Sequence, residues 1–133
     1  MNIIVCLDKN KGMLFNGRRQ SQDSVLREKV LSMSSGARLL MNSYTAKQFG
    51  DESKITVTDD FLEVAGTDDF CFLEDCNIPL DSVDEFCIFR WNRDYPGDVF
   101  FEINLEEAGF KRTCKEDFVG NSHKKITLEI YRR

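Results

Sequence analysis

The sequence predicts an α/β fold, one domain with a mixed, mostly parallel central sheet, few flanking helices and antiparallel strands at the C-terminus. Three observations predict it. Asn2–Leu7, Phe70–Leu73 and Phe86–Trp91 are nearly continuous apolar runs, as strands buried on both faces are. Leu26, Val30 and Met33 recur at spacings of four and three, one apolar helical stripe. In Lys125–Tyr131, Ile126, Leu128 and Ile130 alternate with Thr127, Glu129 and Tyr131, which predicts a strand with one wet face. Strands mixed with two or three helices make a covered, mixed sheet. The 133 residues fill one domain, 1–133, long enough to bury a core without disulfide or metal staples.

The elements follow in order. Asp8–Gly12 ends the first strand as a polar turn, and Met13–Gln20 is a loop around the turn dipeptide Asn16-Gly17. Ser21 caps the first helix, with Asp23 in its first turn, and Ser34-Ser35-Gly36 stops it. Ala37–Met41 is a second strand. Asn42 or Ser43 caps a helix over Tyr44–Phe49 that Gly50 closes. Lys54–Thr58 is a third strand, with Ile55 and Val57 on one face, and Asp60–Val64 is a single helical turn or a loop. Val99–Ile103, Phe110–Cys114 and Lys125–Tyr131 complete the strands.

Composition excludes several functions. A net charge of -5 argues against a general nucleic-acid coat or a polybasic membrane patch. No apolar run approaches a membrane span, and MNIIVCLDKNKG lacks the basic start of a signal peptide. The five cysteines include no C-x-x-C pair and four sit in apolar company, which predicts a reduced, cytoplasmic protein. His123 is the single histidine, so a His-rich metal cluster is excluded and no metal is expected. A Ser-His-Asp hydrolase would have to use His123, and no G-x-S-x-G elbow presents a serine. Residues 51–85 hold twelve acids against one base, Lys54, a net −11, while the remainder carries +6. Such a block is a solvated face and a poor place for phosphates. With Trp91, Tyr95 and the strand near Val99–Ile103 as apolar area, opposite charge blocks also allow a homodimer that loosens at high salt.

The order of motifs resembles the dihydrofolate reductase family. Asn2–Gly12 is similar to that family's first strand and Asp-x-x-x-Gly turn, and Gln22–Leu26 to the start of its catalytic helix. Arg38–Thr45 is similar to its second strand and Met-Gly-Arg-x-Thr helix start. Lys54–Thr58 resembles the next strand, Gly97–Phe101 the Gly-Asp-x-x-Phe-Pro element, and His123–Arg133 the last strand. The resemblance spans the whole chain in short pieces. It implies a three-layer fold of that family.

The departures fall on the family's working positions. Where the family places NADPH phosphates on a Gly-Gly turn, this chain has Glu74-Asp75 after Phe70–Leu73. Ser43 replaces the basic phosphate ligand and Asn42 its glycine, while Thr45 matches. The stretch Gly50–Lys54 lacks the arginine that grips a folate carboxylate, Phe89 replaces the threonine behind the catalytic acid, and Arg18-Arg19-Gln20 replaces the Pro-Trp of the mobile loop. No cofactor is therefore expected, NADPH only if the chain is an active reductase of this type. The resemblance assigns Asp23 as the surviving catalytic acid, facing a pocket with Arg18 or Arg19 at its rim. An Asp in the first turn also complements the helix dipole without catalytic duty.

Arg18, Arg19, Leu26, Tyr44 and Thr45 are the candidate ligand contacts. The two arginines suit an anion and Tyr44 a flat heterocycle, although loop arginines are commonly solvated. Phe49 reads as core. Trp91 and Tyr95 form either an interface patch or loop packing, and His123 is a loop histidine. The expected function is a divergent dihydrofolate reductase-fold protein that binds a small heterocycle or acts in a complex. An active reductase and a self-associating module are the alternatives.

Overall fold

The computed structural model describes residues 1–50 and 54–133. Residues 51–53, part of the stretch before the third predicted strand, lie outside the described residues. Ten strands are described: β1 (Asn2–Leu7), β2 (Gly12–Phe15), β3 (Arg18–Arg19), β4 (Leu39–Met41), β5 (Ile55–Val57), β6 (Phe70–Phe72), β7 (Glu85–Arg90), β8 (Val99–Phe100), β9 (Lys111–Phe118) and β10 (Ile126–Arg132). Helices α1 (Ser24–Met33), α2 (Ser43–Ala46) and α3 (Phe61–Val64) join them, with 3-10 turns at Lys47–Phe49 and Leu80–Ser82.

Among the described residues the central sheet has seven strands in the order β5-β4-β6-β1-β7-β10-β9. The first five are parallel, and β10 pairs antiparallel with both β7 and β9. Asn2–Leu7 lies in register against Glu85–Arg90, which centres the two most apolar runs. The side-chain period of two then sorts the core onto two faces. Ile3, Val5, Leu7, Phe86 and Ile88 pack on one face against Phe101, Leu105 and Phe110. Ile4, Cys87, Phe89 and Trp91 pack on the other against Leu26 and Val30 of α1. The first face is covered mainly by α3 and the irregular chain around Phe101–Phe110 rather than by long helices.

Several expectations are corrected. Met13–Gln20 is a hairpin, because Asn16 (φ 51) and Gly17 (φ 72) both take the left-handed conformation of a two-residue turn. Together with β8 it forms a separate three-stranded sheet. Asp23, not Ser21, caps α1. Asn42 caps α2. β10 has no wet face at its start, since Thr127 and Glu129 are buried. Glu129 is held between Arg90 and Arg112. Cys114, placed in apolar company by its sequence, is exposed on the edge strand β9. Trp91 is 3% exposed and belongs to the core, not to a surface patch. The acidic block is partly neutralised inside the chain: Asp69 pairs with Arg38, Glu74 with Arg19, Glu85 with Arg132 and Asp84 with the N-terminus.

Candidate functional site

Parallel strands place binding crevices beyond their carboxyl ends, where neighbouring connections diverge to opposite sides. Here that place lies at the ends of β1, β6 and β7, between Cys6, Leu73 and Trp91. The β2–β3 hairpin folds over it and Leu26 and Gln48 form its inner wall. The crevice is nearly filled, with about 10 Å³ left open.

Arg19 fills it. Its Nε lies 2.9 Å from Glu74 Oε2 and its Nη2 3.1 Å from Glu74 Oε1, a forked pair. Nη2 also donates to the Tyr44 carbonyl, the Arg19 N–H donates to the Tyr44 hydroxyl, and the guanidinium lies 4.4 Å from the Tyr44 ring centroid. The side chains of Arg19 and Glu74 are 16% and 12% exposed, so the pair is largely desolvated. Burial pushes the Cys6 thiol well up, Glu74 adds to this, and Arg19 opposes it.

Asp23 faces elsewhere. Its Oδ1 accepts from the N–H groups of Val25, Leu26 and Asn121, and its Oδ2 accepts from the Ser122 N–H and hydroxyl. His123 Nδ1 completes the set at 2.9 Å from Oδ2. The Asp23 carboxylate thus ties the start of α1 to the turn before β10, and it lines none of the described cavities. Burial pushes its pKa up. The bonds from Asn121, His123, Ser122 and Leu26 outweigh this and hold it well below the usual carboxylate range.

His123 is buried, which its loop position did not suggest. Its ring stacks on Trp91 with centroids 4.5 Å apart. Its Nε2 lies 3.0 Å from the Tyr95 hydroxyl and 3.1 Å from Ser21 Oγ. Asp8, placed in a polar turn by its sequence, is also buried. It accepts from the N–H groups of Asn10, Gly12 and Tyr95 and from Gln20 Nε2, joining the hairpin to the 95 loop.

The structure therefore brings Arg19 and Leu26 to the crevice, with Tyr44 held against Arg19. Arg18 is exposed on an outer groove of about 490 Å³ shared with Phe15, Gln20, Tyr95 and Pro96. Thr45 is buried, and its Oγ1 has no hydrogen-bond partner, nor do Gln20 Oε1 and Gln48 Nε2. Ser43 contacts Asp59, and Asp75 accepts from the Cys76 N–H in the exposed turn after β6. The sequence marks Ser21 only as a helix cap and Tyr95 only as a patch or packing residue, and it holds no sign of Gln48 at the crevice. The one available signal was the single histidine, since a lone buried imidazole needs hydrogen-bond partners. Among the described residues no cluster of His, Cys, Asp and Glu could hold a metal ion. No described helix is long and apolar enough to cross a membrane.

No protein-family model and no curated protein matches the chain. Among solved structures it is similar to dihydrofolate reductase from Enterococcus faecalis complexed with NADP(H) and RAB-propyl. That match has a TM-score of 0.72 over 99% of this chain and 95% of the other, at 12% identity. With the strand order and the crevice at the ends of β1, β6 and β7, this shows that the chain has a dihydrofolate reductase-like fold.

Proposed function

We propose that this chain uses a dihydrofolate reductase-like fold to bind a small heterocycle and does not carry out NADPH-dependent reduction. The observation that carries the reading is the Arg19–Glu74 pair closing the crevice. Beneath it, Gln48 Nε2 is a donor and Gln20 Oε1 an acceptor without partners. A flat ring with an adjacent acceptor and N–H would satisfy both once the hairpin lifts, and the Tyr44 ring released by Arg19 would offer it a face.

The residues do not fit a nicotinamide dinucleotide. Glu74 and Asp75 stand at the turn after β6, and Asp59 lies against Ser43 at the start of α2, where the resemblance puts phosphates. Glu74 is spent on Arg19 and leaves no glycine-like approach to the backbone, and the Asp59 and Asp75 carboxylates repel a pyrophosphate rather than cradle it. Asp23 supports the same reading, since its lone pairs are taken up by the start of α1 and the 121–123 turn and it lines none of the described cavities. Self-association is the weaker reading, because several acids of the acidic block already have partners within the chain.

Thermal-shift and calorimetric titration test the reading with pterins, pyrimidines and NADPH. A heterocycle should raise the unfolding midpoint, since ligands of the native state stabilise it, and NADPH should not. A dissociation constant for NADPH in the low micromolar range or tighter would overturn it.

A further inference from the structure

Ser21, His123 and Asp23 stand in a line of hydrogen bonds that the heterocycle reading does not use. Ser21 Oγ lies 3.1 Å from His123 Nε2, and His123 Nδ1 lies 2.9 Å from Asp23 Oδ2. We propose that this line makes Ser21 an acyl-accepting nucleophile, and that the chain hydrolyses short carboxylic esters bearing an anionic group.

The chemistry follows from the geometry. The Asp23 carboxylate accepts at Nδ1, which fixes the proton there and leaves the Nε2 lone pair facing Ser21. His123 is locked by the Trp91 stack and by Ser122 Oγ, 3.0 Å from Nδ1, so the imidazole is already oriented. The missing G-x-S-x-G elbow argues against a serine hydrolase from sequence, but nucleophile, base and orienting acid are recognised by this geometry rather than by sequence order, and here His123 does meet a serine. Ser21 is partly exposed, while His123 and Asp23 are sealed, as a nucleophile and its relay should be.

Two further features bear on the substrate. Gln48 Nε2, the buried donor without a partner, lines the same crevice as Ser21, and a carbonyl oxygen that gains charge can use it only once Arg19 has vacated that crevice. On the outer side, Gln20 and Tyr95 flank Ser21 and border the groove that Arg18 also lines. The Arg18 guanidinium makes no ion pair among the described residues and suits an anionic tail. Tyr95, whose hydroxyl also reaches Nε2 at 3.0 Å, competes with Ser21 for that lone pair and sets how often the serine is activated.

In the forward step, Ser21 Oγ bonds to the ester carbonyl carbon and its proton passes to His123 Nε2. The bond from carbon to the leaving alkoxy oxygen then breaks, and that oxygen takes the proton from Nε2. Water repeats the sequence on the acyl-serine, releasing the acid and restoring Ser21 and neutral His123. No oxidant, reductant or metal enters the balance.

The test uses a fluorophosphonate, which forms a bond to an activated serine oxygen and releases fluoride, with peptide mapping by mass spectrometry. A 4-nitrophenyl monoester of a short dicarboxylic acid gives the turnover readout. Ser21 should be labelled well ahead of exposed Ser35, and Ser21→Ala should lose both label and turnover while unfolding as the parent does. Asp23→Asn, checked for folding by circular dichroism, should slow labelling by about 100-fold or more, because it allows the wrong imidazole tautomer. A folded protein whose Ser21 labels no faster than Ser35, or an Asp23→Asn variant that labels at the parent rate, would overturn the proposal. Neither result bears on heterocycle binding, which the ligand titrations read separately.

Discussion

His123 Nδ1 and Asp23 Oδ2 meet at 2.9 Å across a hundred residues of chain, with side chains 2% and 0% exposed. The contact closes a ring. Asp23 starts α1, α1 covers one face of the sheet, and His123 begins the turn into β10, which pairs with the central strand β7. One carboxylate therefore fixes both the helix start and the entry to the last strand.

Removing that carboxylate should cost more than an ordinary helix cap. Asp23→Ala leaves the N–H groups of Val25, Leu26, Asn121 and Ser122 without their acceptor, and His123 without its orienting group. A lost cap costs about 1 kcal/mol, and each hydrogen bond to a charged group about 1.5–3 kcal/mol. Partial re-solvation of the turn offsets much of that sum, so we expect a loss of about 3 kcal/mol in urea unfolding. Asp23→Asn, which keeps the Oδ1 acceptor, should lose less.

Acid should weaken the protein through the same group. The folded-state pKa of Asp23 lies below its unfolded value, so its contribution is complete above the unfolded value and is lost as pH falls towards the folded one. Glu129 acts in the same direction: burial pushes it up, but its bonds to Arg90 and Arg112 outweigh that and lower it. Stability should hold down to about pH 5 and then fall, the unfolded carboxylates titrating near 3.9–4.3. Asp23→Asn should flatten that fall when unfolding free energies at about pH 6 and pH 3 are compared. An unchanged slope would show that Asp23 is not the titrating group.

What the sequence disclosed and what it hid have a common cause. The apolar runs of β1, β6 and β7 announce themselves, because burial on both faces leaves no position for a polar residue. The stripe of Leu26 and Val30 is equally plain. Asp8, Asp23, His123 and Glu129 were invisible as buried groups, because a polar side chain enters a core only when distant residues supply its partners. Asp23 finds Asn121 and Ser122, Glu129 finds Arg90 and Arg112, and no local pattern encodes those meetings. The Asn16-Gly17 turn was legible as a turn. The hairpin was not, because its two-residue strand β3 is too short to show a period.

Gly120 should tolerate no side chain. A Cβ there would stand 2.5 Å from Asp23 Oδ2 and 2.9 Å from Ile126 Cδ1. Neither neighbour can yield, since Asp23 is held by the turn itself and Ile126 is fully buried. Gly120→Ala should destabilise by about 1–3 kcal/mol, as overpacking does. The shift in thermal midpoint measures it. Gly36→Ala makes a useful comparison: its φ of 87 strains any side chain, but nothing lies within 4 Å, so its loss carries no packing component.

The Arg19–Glu74 pair should behave as a buried bridge, in which each partner needs the other. Arg19→Ala leaves the Glu74 carboxylate unpaired in a crevice walled by Leu26, Phe72 and Trp91, and Glu74→Ala leaves the guanidinium. Breaking a buried pair costs about 3–5 kcal/mol. The residual exposure of 16% and 12% brings the expected single-mutant losses towards the lower end of that range. The double variant should lose much less than the sum, because no charge is then left behind. Replacing both by apolar residues, Arg19→Met with Glu74→Leu, should come close to the parent in stability. Arg19→Ala also frees the Tyr44 ring and hydroxyl and removes the group that fills the crevice. Heterocycle affinity should therefore rise in Arg19→Ala even as stability falls. Equal affinity in parent and variant by calorimetry would place the ligand outside this crevice.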